Sequence, residues 1–311
     1  MSVGTICRRP ACDVERGATA QDAALRMDRE RVGALVVVEE GRPFGVVTDR
    51  DLALRVVARG AIGSTVEVER ASSTPPQLLT EDLSLQRAAE ELRTRGLRRA
   101  PVVDGEGRLL GMFTGDDLVR LAAGELQALA DVATEHGPAA RSPAVRDARQ
   151  VRSAAHYRRT VTTVSSDTSA RQVARRMGRD GVGCVVVVDD GRPCGIVTDR
   201  DLALRVTARD LEPDATPTAS IMSRSPLMLD AGEPLTRVVR AMSENAVRRI
   251  PVTQEGRLVG IVTYDDVLVA LGRELAAVGE TAIRAREQEA RAWAVAQAEG
   301  APLVGRVGEA G

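Results

Sequence analysis

The chain has 311 residues, with 43 basic and 44 acidic side chains and a net charge of −1. All the basic residues apart from two histidines are arginines, which excludes Schiff-base lysine chemistry and a Walker-type phosphate loop, and the near-neutral balance lacks the basic footprint usual for a nucleic-acid binder. Aromatic residues make up 2% of the chain, so its core must be built from Val, Leu, Ala and Ile.

The first segment with a pattern is a helix, TAQDAALRM. Thr19 stands as N-cap, Asp22 follows three residues later, and Ala20, Ala24 and Met27 recur at helical spacing. A Val-rich run from Ala34 to Val38 is too short for a helix and reads as a buried strand. Gly41-Arg42 marks a tight turn, because glycine supplies the positive φ such turns need. A second strand, Gly45 to Thr48, leads into a second helix from Asp49. The unit is therefore helix, strand, strand, helix, with a short extended lead-in segment.

This unit recurs down the chain. Residues 33–56, GALVVVEEGRPFGVVTDRDLALRV, and 183–206, GCVVVVDDGRPCGIVTDRDLALRV, are identical at three quarters of their positions. Four segments share the pattern G-R-x-x-G, two apolar residues, T-x-x-D: GRPFGVVTDRD, GRLLGMFTGDD, GRPCGIVTDRD and GRLVGIVTYDD. Their spacing runs short, long, short, so the copies pair first with second and third with fourth. The expected division is a first pair over residues 1–135 (repeats about 1–65 and 70–135) and a linker at 136–156. A second pair over 157–285 follows (repeats about 157–212 and 218–285), and then a tail at 286–311. The helices closing each half are long and carry one-sided apolar stripes, Leu118, Leu121, Leu129 and Val132 against Leu268, Leu271, Leu275 and Val278. The linker is rich in Pro, Ala and Arg and holds His136 and His156, while the tail, with Trp293, reads as a polar helix fading into disorder.

The opening MSVGTICRRP carries no export pattern, and no apolar run approaches the ~18 residues needed to span a bilayer. Cys7, Cys12, Cys184 and Cys194 show neither C-x-x-C nor Cys/His metal spacing. A cytoplasmic protein with reduced thiols, no bound metal and no membrane attachment is expected.

These segments resemble the cystathionine beta-synthase (CBS) domain family. RRAPVVD, RRIPVTQ and the four T-x-x-D segments carry the likeness across most of the chain outside linker and tail. The resemblance implies an α+β fold of four CBS repeats in two tandem pairs. Each pair would be packed through its sheets and form two clefts that can hold AMP, ADP, ATP or S-adenosylmethionine. The layout is similar to the gamma subunit of AMP-activated protein kinase, in which two pairs meet as a flat disc. Physics points the same way: a unit of about 60 residues leaves too much apolar surface exposed to be comfortably stable alone, and pairing buries the open sheet faces.

The candidate site residues sit where a strand enters a helix: Thr48 and Asp51, Thr114 and Asp117, Thr198 and Asp201, Thr263 and Asp266. A helix N-terminus offers free N–H groups to phosphate, and a carboxylate there can accept from both hydroxyls of a ribose, the role the resemblance implies. The same spacing also makes a capping box, worth about 1 kcal/mol without any ligand, and both readings stand. Capping boxes favour Glu or Gln at the third position, yet all four copies carry Asp. Arg98, Arg99, Arg248 and Arg249 precede the prolines of the second and fourth copies. The resemblance places basic residues there against ligand phosphate; the alternative is a solvated basic surface. Ala34 and Cys184, small residues opening buried strands, leave room for an adenine ring. No catalytic constellation and no catalytic cofactor is expected. The leading function is a regulator that binds an adenine nucleotide or S-adenosylmethionine and alters its association with a partner or with itself, as a homodimer or an intramolecular disc. The alternatives are a ligand-free structural or dimerisation module and an RNA binder using the Arg-rich linker.

Overall fold

The computed structural model describes residues 1–136, 153–154 and 159–298. Most of the expected linker and the last residues of the expected tail, 299–311, lie outside them.

The first repeat realises the expected order. A lead-in strand β1 (Asp13–Glu15) is followed by α1 (Ala20–Arg29), β2 (Ala34–Glu39), β3 (Arg42–Thr48) and α2 (Asp49–Arg55). The β1 strand pairs parallel to β2, and β2 pairs antiparallel to β3. The hairpin turn is Glu40-Gly41, both residues with positive φ (50° and 75°), which suits a two-residue hairpin loop. The strand β3 begins three residues before the expected Gly45, because the pairing continues past a bulge to Glu39 and Arg42.

The other repeats follow the same grammar. The second has β4 (Leu79–Thr80), α3 (Leu85–Thr94), β5 (Arg99–Val103), β6 (Leu109–Thr114) and α4 (Gly115–His136). The third has β7 (Thr163–Val164), α5 (Ala170–Asp180), β8 (Cys184–Asp189), β9 (Arg192–Thr198) and α6 (Asp199–Leu202), which runs on into a π turn, Ala203–Thr207. The fourth has β10 (Leu229–Asp230), α7 (Leu235–Glu244), β11 (Arg249–Gln254), β12 (Arg257–Thr263) and α8 (Tyr264–Ala298). One detail departs from the sequence reading: His136 closes α4 rather than opening a loop, while the helical start of the tail is present, α8 continuing past residue 286 to Ala298. Alanine, glutamate and arginine dominate that stretch, and all three favour helix.

Side-chain alternation explains why the strands read as unbroken apolar runs. In β2, Leu35 and Val37 enter a core with α1, while Val36 and Val38 point the other way onto Met112 and Leu109 of the second repeat. A strand buried on both faces has no polar side to show. The second pair is built alike, with Cys184 and Val186 meeting Ile261. Across each pair one hairpin also reaches the other, Leu109 N–H donating to the Gly41 carbonyl (3.2 Å) and Leu258 N–H to that of Gly191 (3.4 Å).

The two pairs join chiefly through the first and third repeats. Ala203 and Ala208 belong to the core of the first repeat, and Ala53 and Val57 to the core of the third. Gly63 packs so closely on the Thr207 carbonyl that a Cβ would lie 2.7 Å from its oxygen. Ser64 N–H donates to Asp210 Oδ1 (2.8 Å), and Arg175 Nε donates to the Ala58 carbonyl (3.0 Å). The α4 helix packs on α3 and β6, and α8 on α7 and β12. Of the apolar stripes, Leu118, Leu121 and Leu268 are half-buried, and Leu271 and Leu275 stay 39% and 49% exposed. The side chains of Leu129, Val132 and Val278 are outside the described set. Among the described residues no helix is long and apolar enough to cross a membrane.

Candidate functional site

All four T-x-x-D segments sit at helix N-termini, and all four cap them. The second carboxylate oxygen accepts from the threonine N–H and hydroxyl at once: 2.9 and 2.6 Å for Asp51, 2.8 and 2.7 Å for Asp117, 2.8 and 2.7 Å for Asp201, 2.9 and 2.6 Å for Asp266. In three copies the Asp N–H returns a bond to the threonine oxygen. Capping thus occupies Oδ2 and leaves Oδ1 of each carboxylate for a further partner. That partner is an arginine every time: Arg55 for Asp51 (3.5 Å), Arg120 for Asp117 (3.0 Å), Arg205 for Asp201 (3.3 Å), and Arg159 for Asp266. The first three lie about one turn further along the same helix, a spacing visible in the sequence but not singled out there. Arg159 comes from another repeat.

A second set of charges gathers where the pairs meet. The two residues inside T-x-x-D alternate along the chain: Asp49-Arg50, Gly115-Asp116, Asp199-Arg200, Tyr264-Asp265. The residue just before the first buried position of the preceding strand (Ala34, Ala100, Cys184, Ile250) alternates with them, Gly33 and Gly183 in the odd repeats against Arg99 and Arg249 in the even ones. The contacts follow this code. Arg98 makes a two-pronged pair with Asp265 (3.1 and 2.9 Å), and Arg248 with Asp116 (3.1 and 3.2 Å), while the Arg248 guanidinium lies 4.6 Å over the Tyr264 ring. Arg50 donates to the Val182 carbonyl (2.9 Å) and to Asp199 Oδ2 (3.3 Å), and Arg200 to the Val32 carbonyl (2.9 Å). The glycines make room: a Cβ on Gly33 or Gly183 would lie 2.9 Å from Oδ2 of Asp49 or Asp199.

Burial sets the electrostatics of this cluster. It raises the Asp49 carboxyl above its ordinary value, with Arg99 pulling it back most strongly. It pushes Asp199 up to about 6, against the pull of Arg50. It also lowers Arg99, which Asp49 partly offsets. Asp199 Oδ1 is buried without a hydrogen-bond partner. Of the arginines expected at phosphate, Arg98 and Arg248 are therefore held by carboxylates across the joint, and Arg99 and Arg249 sit half-buried within the Coulomb field of Asp49 and Asp199. Asp49, Asp116, Asp199 and Asp265 do not stand out from what the repeats share; their signal lies in how the repeats differ.

One cleft is lined by an arginine that holds a T-x-x-D carboxylate. It has a volume of about 550 Å³ and opens in the second pair between Arg159, Thr160, Val161 and Thr163 of the third repeat's lead-in and Leu258 and Val259 of β12. The size falls within the range of small-molecule sites, and its Arg159 holds Asp266, which is 8% exposed. Ala34 and Cys184 are both buried, and burial pushes the Cys184 thiol up to about 11, so it is neutral. Cys184 packs against the Ile261 cluster that backs the cleft's strands.

The family profile of the CBS domain matches residues 3–58, 68–124, 151–207 and 219–273, and the chain belongs to this family, with four repeats in two tandem pairs. Among curated proteins, an uncharacterised protein of Methanopyrus kandleri, MK0525, is 32% identical over 39% of this chain and 62% of its own length. Hypoxic response protein 1 of Mycobacterium tuberculosis is 33% identical over 34% of this chain and 76% of its own. The Arabidopsis thaliana CBS domain-containing protein CBSCBSPB1 aligns over 88% of this chain at 23% identity, and the chain spans about half (53%) of that relative's length. Among solved structures, protein MJ1225 of Methanocaldococcus jannaschii, described as a proposed archaeal homologue of g-AMPK, superposes with a TM-score of 0.61. It is 21% identical and covers 87% of this chain and 100% of its own, a likeness of fold.

Proposed function

We propose that this chain is a ligand-sensing regulator that binds an adenine-containing compound (AMP, ADP, ATP or S-adenosylmethionine) in a cleft between paired repeats and converts occupancy into altered association with a partner or a second copy. The observation that carries the reading is the 550 Å³ cleft bounded by Arg159, whose head holds the buried Asp266 carboxylate. In this reading the capping bonds keep Oδ2, and a ribose diol takes over Oδ1. Asp51, Asp117 and Asp201 offer the same exchange in their own repeats, with Thr48, Thr114, Thr198 and Thr263 holding the helix ends open to phosphate. Arg98, Arg99, Arg248 and Arg249 hold phosphate by trading a carboxylate for it, which suits a planar, multi-donor head. Ala34 and Cys184 are the small residues beside the base. The exposed Leu271 and Leu275 of α8 provide a surface through which association can change. The protein acts by binding, without catalysis, in the cytoplasm.

The test is a thermal-shift series on the full chain. A compound that binds only the folded state at a hundred times its dissociation constant should stabilise by about 2.7 kcal/mol. Asp266→Ala, Asp51→Ala and Asp201→Ala each remove a ribose acceptor and should reduce the shift. If no adenosine compound moves the transition, the ligand-free assembly reading replaces this one.

A further inference from the structure

The four T-x-x-D carboxylates are capped alike but covered differently, and the difference bears on which ligand enters. Asp51, Asp117 and Asp201 are held by arginines of their own helices, Arg55, Arg120 and Arg205. Those pairs are local and sit beside the helix. Asp266 is held by Arg159, which reaches across from the third repeat and also bounds the cleft. The Arg159 backbone is fixed, its N–H donating to the Ile261 carbonyl (3.0 Å) and its carbonyl accepting from the Ile261 N–H (3.3 Å). Its side chain is the opposite: 65% exposed, against 8% for the carboxylate it covers. An anchored backbone with a long, solvated side chain over a buried acid is the arrangement of a cover that can be displaced.

We infer that Arg159 is the specificity-determining residue of this cleft, and that the cleft selects adenosine derivatives bearing an anionic 5′ group. The inference rests on the ribose reading of Asp266 given above. A ribose diol reaches Asp266 Oδ1 by taking the place of the Arg159 head, which is its described partner. That head then loses its counter-charge in a cleft whose other described walls are threonine and apolar residues. A 5′ phosphate restores an anionic partner and gains charge-assisted, two-pronged hydrogen bonds. Neutral adenosine displaces the arginine and offers nothing in return. S-adenosylmethionine brings a sulfonium cation beside its 5′ carbon and carries its carboxylate further out next to an ammonium, so it is a poorer partner than a 5′ phosphate. The same residue therefore rejects two of the chemistries that the bare carboxylate would accept, and of the four arginines described it is the one that reaches its carboxylate from another repeat.

The experiment is titration calorimetry of AMP, adenosine and S-adenosylmethionine with the full chain, as wild type, Arg159→Ala, Arg159→Gln and Arg248→Ala/Arg249→Ala. The wild type should prefer AMP over adenosine by roughly tenfold or more, the factor expected for one charge-assisted hydrogen bond. Both Arg159 variants should lose about that factor for AMP and bind adenosine as well as or better than wild type, because Asp266 is uncovered. Arg159→Gln keeps a polar, hydrogen-bonding side chain without the charge and guards against a packing effect of the alanine. A preference for AMP that survives both Arg159 variants, or collapses only in the Arg248/Arg249 variant, overturns the assignment while leaving the ribose reading intact. No binding of any of the three compounds to wild type overturns the ribose reading and this inference together.

Discussion

The two pairs touch at two joints of opposite character. Where the first and third repeats meet, each contributes to the other's core: Ala203 and Ala208 on one side, Ala53 and Val57 on the other, all buried. Where the second and fourth meet, the specific contacts described are the Arg98–Asp265 and Arg248–Asp116 pairs, with all four side chains about half exposed. The first joint excludes water and is held by packing; the second is wet and held by charge. Apolar burial is worth about 25 cal/mol per Å² and is insensitive to salt, whereas exposed ion pairs contribute roughly 0–1 kcal/mol and are screened. The two pairs are therefore joined firmly at one end and latched by charge at the other.

The comparison breaks most directly at Val57. This side chain is fully buried, in the 3-10 turn that α5 packs upon. Val57→Asp places an unpaired carboxylate there and should cost on the order of 3–5 kcal/mol. Urea unfolding followed by circular dichroism should also show the single transition splitting as the pairs uncouple. An unchanged transition would mean that the first and third repeats do not share a core.

The charged groups beside the apolar joint give a pH signature. Asp199 is raised to about 6, first by burial, with Arg50, Asp49 and Arg249 facing it. A carboxyl whose folded-state value lies above its unfolded value binds its proton more tightly when folded. It therefore opposes folding at neutral pH, and that cost is relieved as pH falls through about 6, with the gain complete once the unfolded chain is also protonated, near 4. Displacement from the ordinary value corresponds to roughly 3 kcal/mol at most. Asp199→Asn should therefore flatten the rise in stability between pH 7.5 and pH 5 that the wild type shows. If the variant and wild type keep parallel stability-against-pH curves, Asp199 is not the group responsible.

Much of this was legible in the sequence, for identifiable reasons. The strands declared themselves because Val36 and Val38 face one layer and Leu35 and Val37 another, so no polar residue interrupts the run. The helix starts declared themselves through Thr19 with Asp22 and Thr48 with Asp51, and both capping boxes form. The joints were not legible. Nothing in DLALRV says that Ala53 will meet the third repeat, since a buried alanine reads the same against any neighbour. Arg159 was hidden by register. Arg8 and Arg159 occupy matching places on Met112 and Ile261, while Cys12 and Thr162 accept matching bonds from Val36 and Val186. One extra residue therefore lies between those points in the first repeat, and a constant offset along the chain sets Arg9, not Arg8, against Arg159.

The caps sharpen the comparison at the next scale down. Thr48→Ala and Thr114→Ala each remove one capping hydroxyl and should each cost about 1 kcal/mol. The α2 helix led by Thr48 packs against α6 at the apolar joint, whereas α4, led by Thr114, packs on its own repeat. Equal costs mean that the cap acts locally. A clearly larger cost at Thr48, measured by denaturant midpoint at unchanged slope, means that its helix transmits strain into the shared core.

The smallest expected effect falls on the latch. Arg98 and Asp265 exchange two hydrogen bonds at 3.1 and 2.9 Å, but their side chains are 59% and 50% exposed. Solvent competes for both partners, so Arg98→Ala, Asp265→Ala and the double variant should differ from wild type by less than about 1 kcal/mol at physiological salt. A double-mutant cycle then isolates the coupling, and raising the salt should shrink it further because the pair is screened. Removing a single partner leaves its mate free to hydrate, which is why single and double variants should be nearly equal. The same variants ought to loosen the charged joint: amide exchange in the first turns of α4 and α8 should speed up while exchange in α2 and α5 holds. A coupling well above 1 kcal/mol, insensitive to salt, would make the second joint as firm as the first and remove the contrast between them.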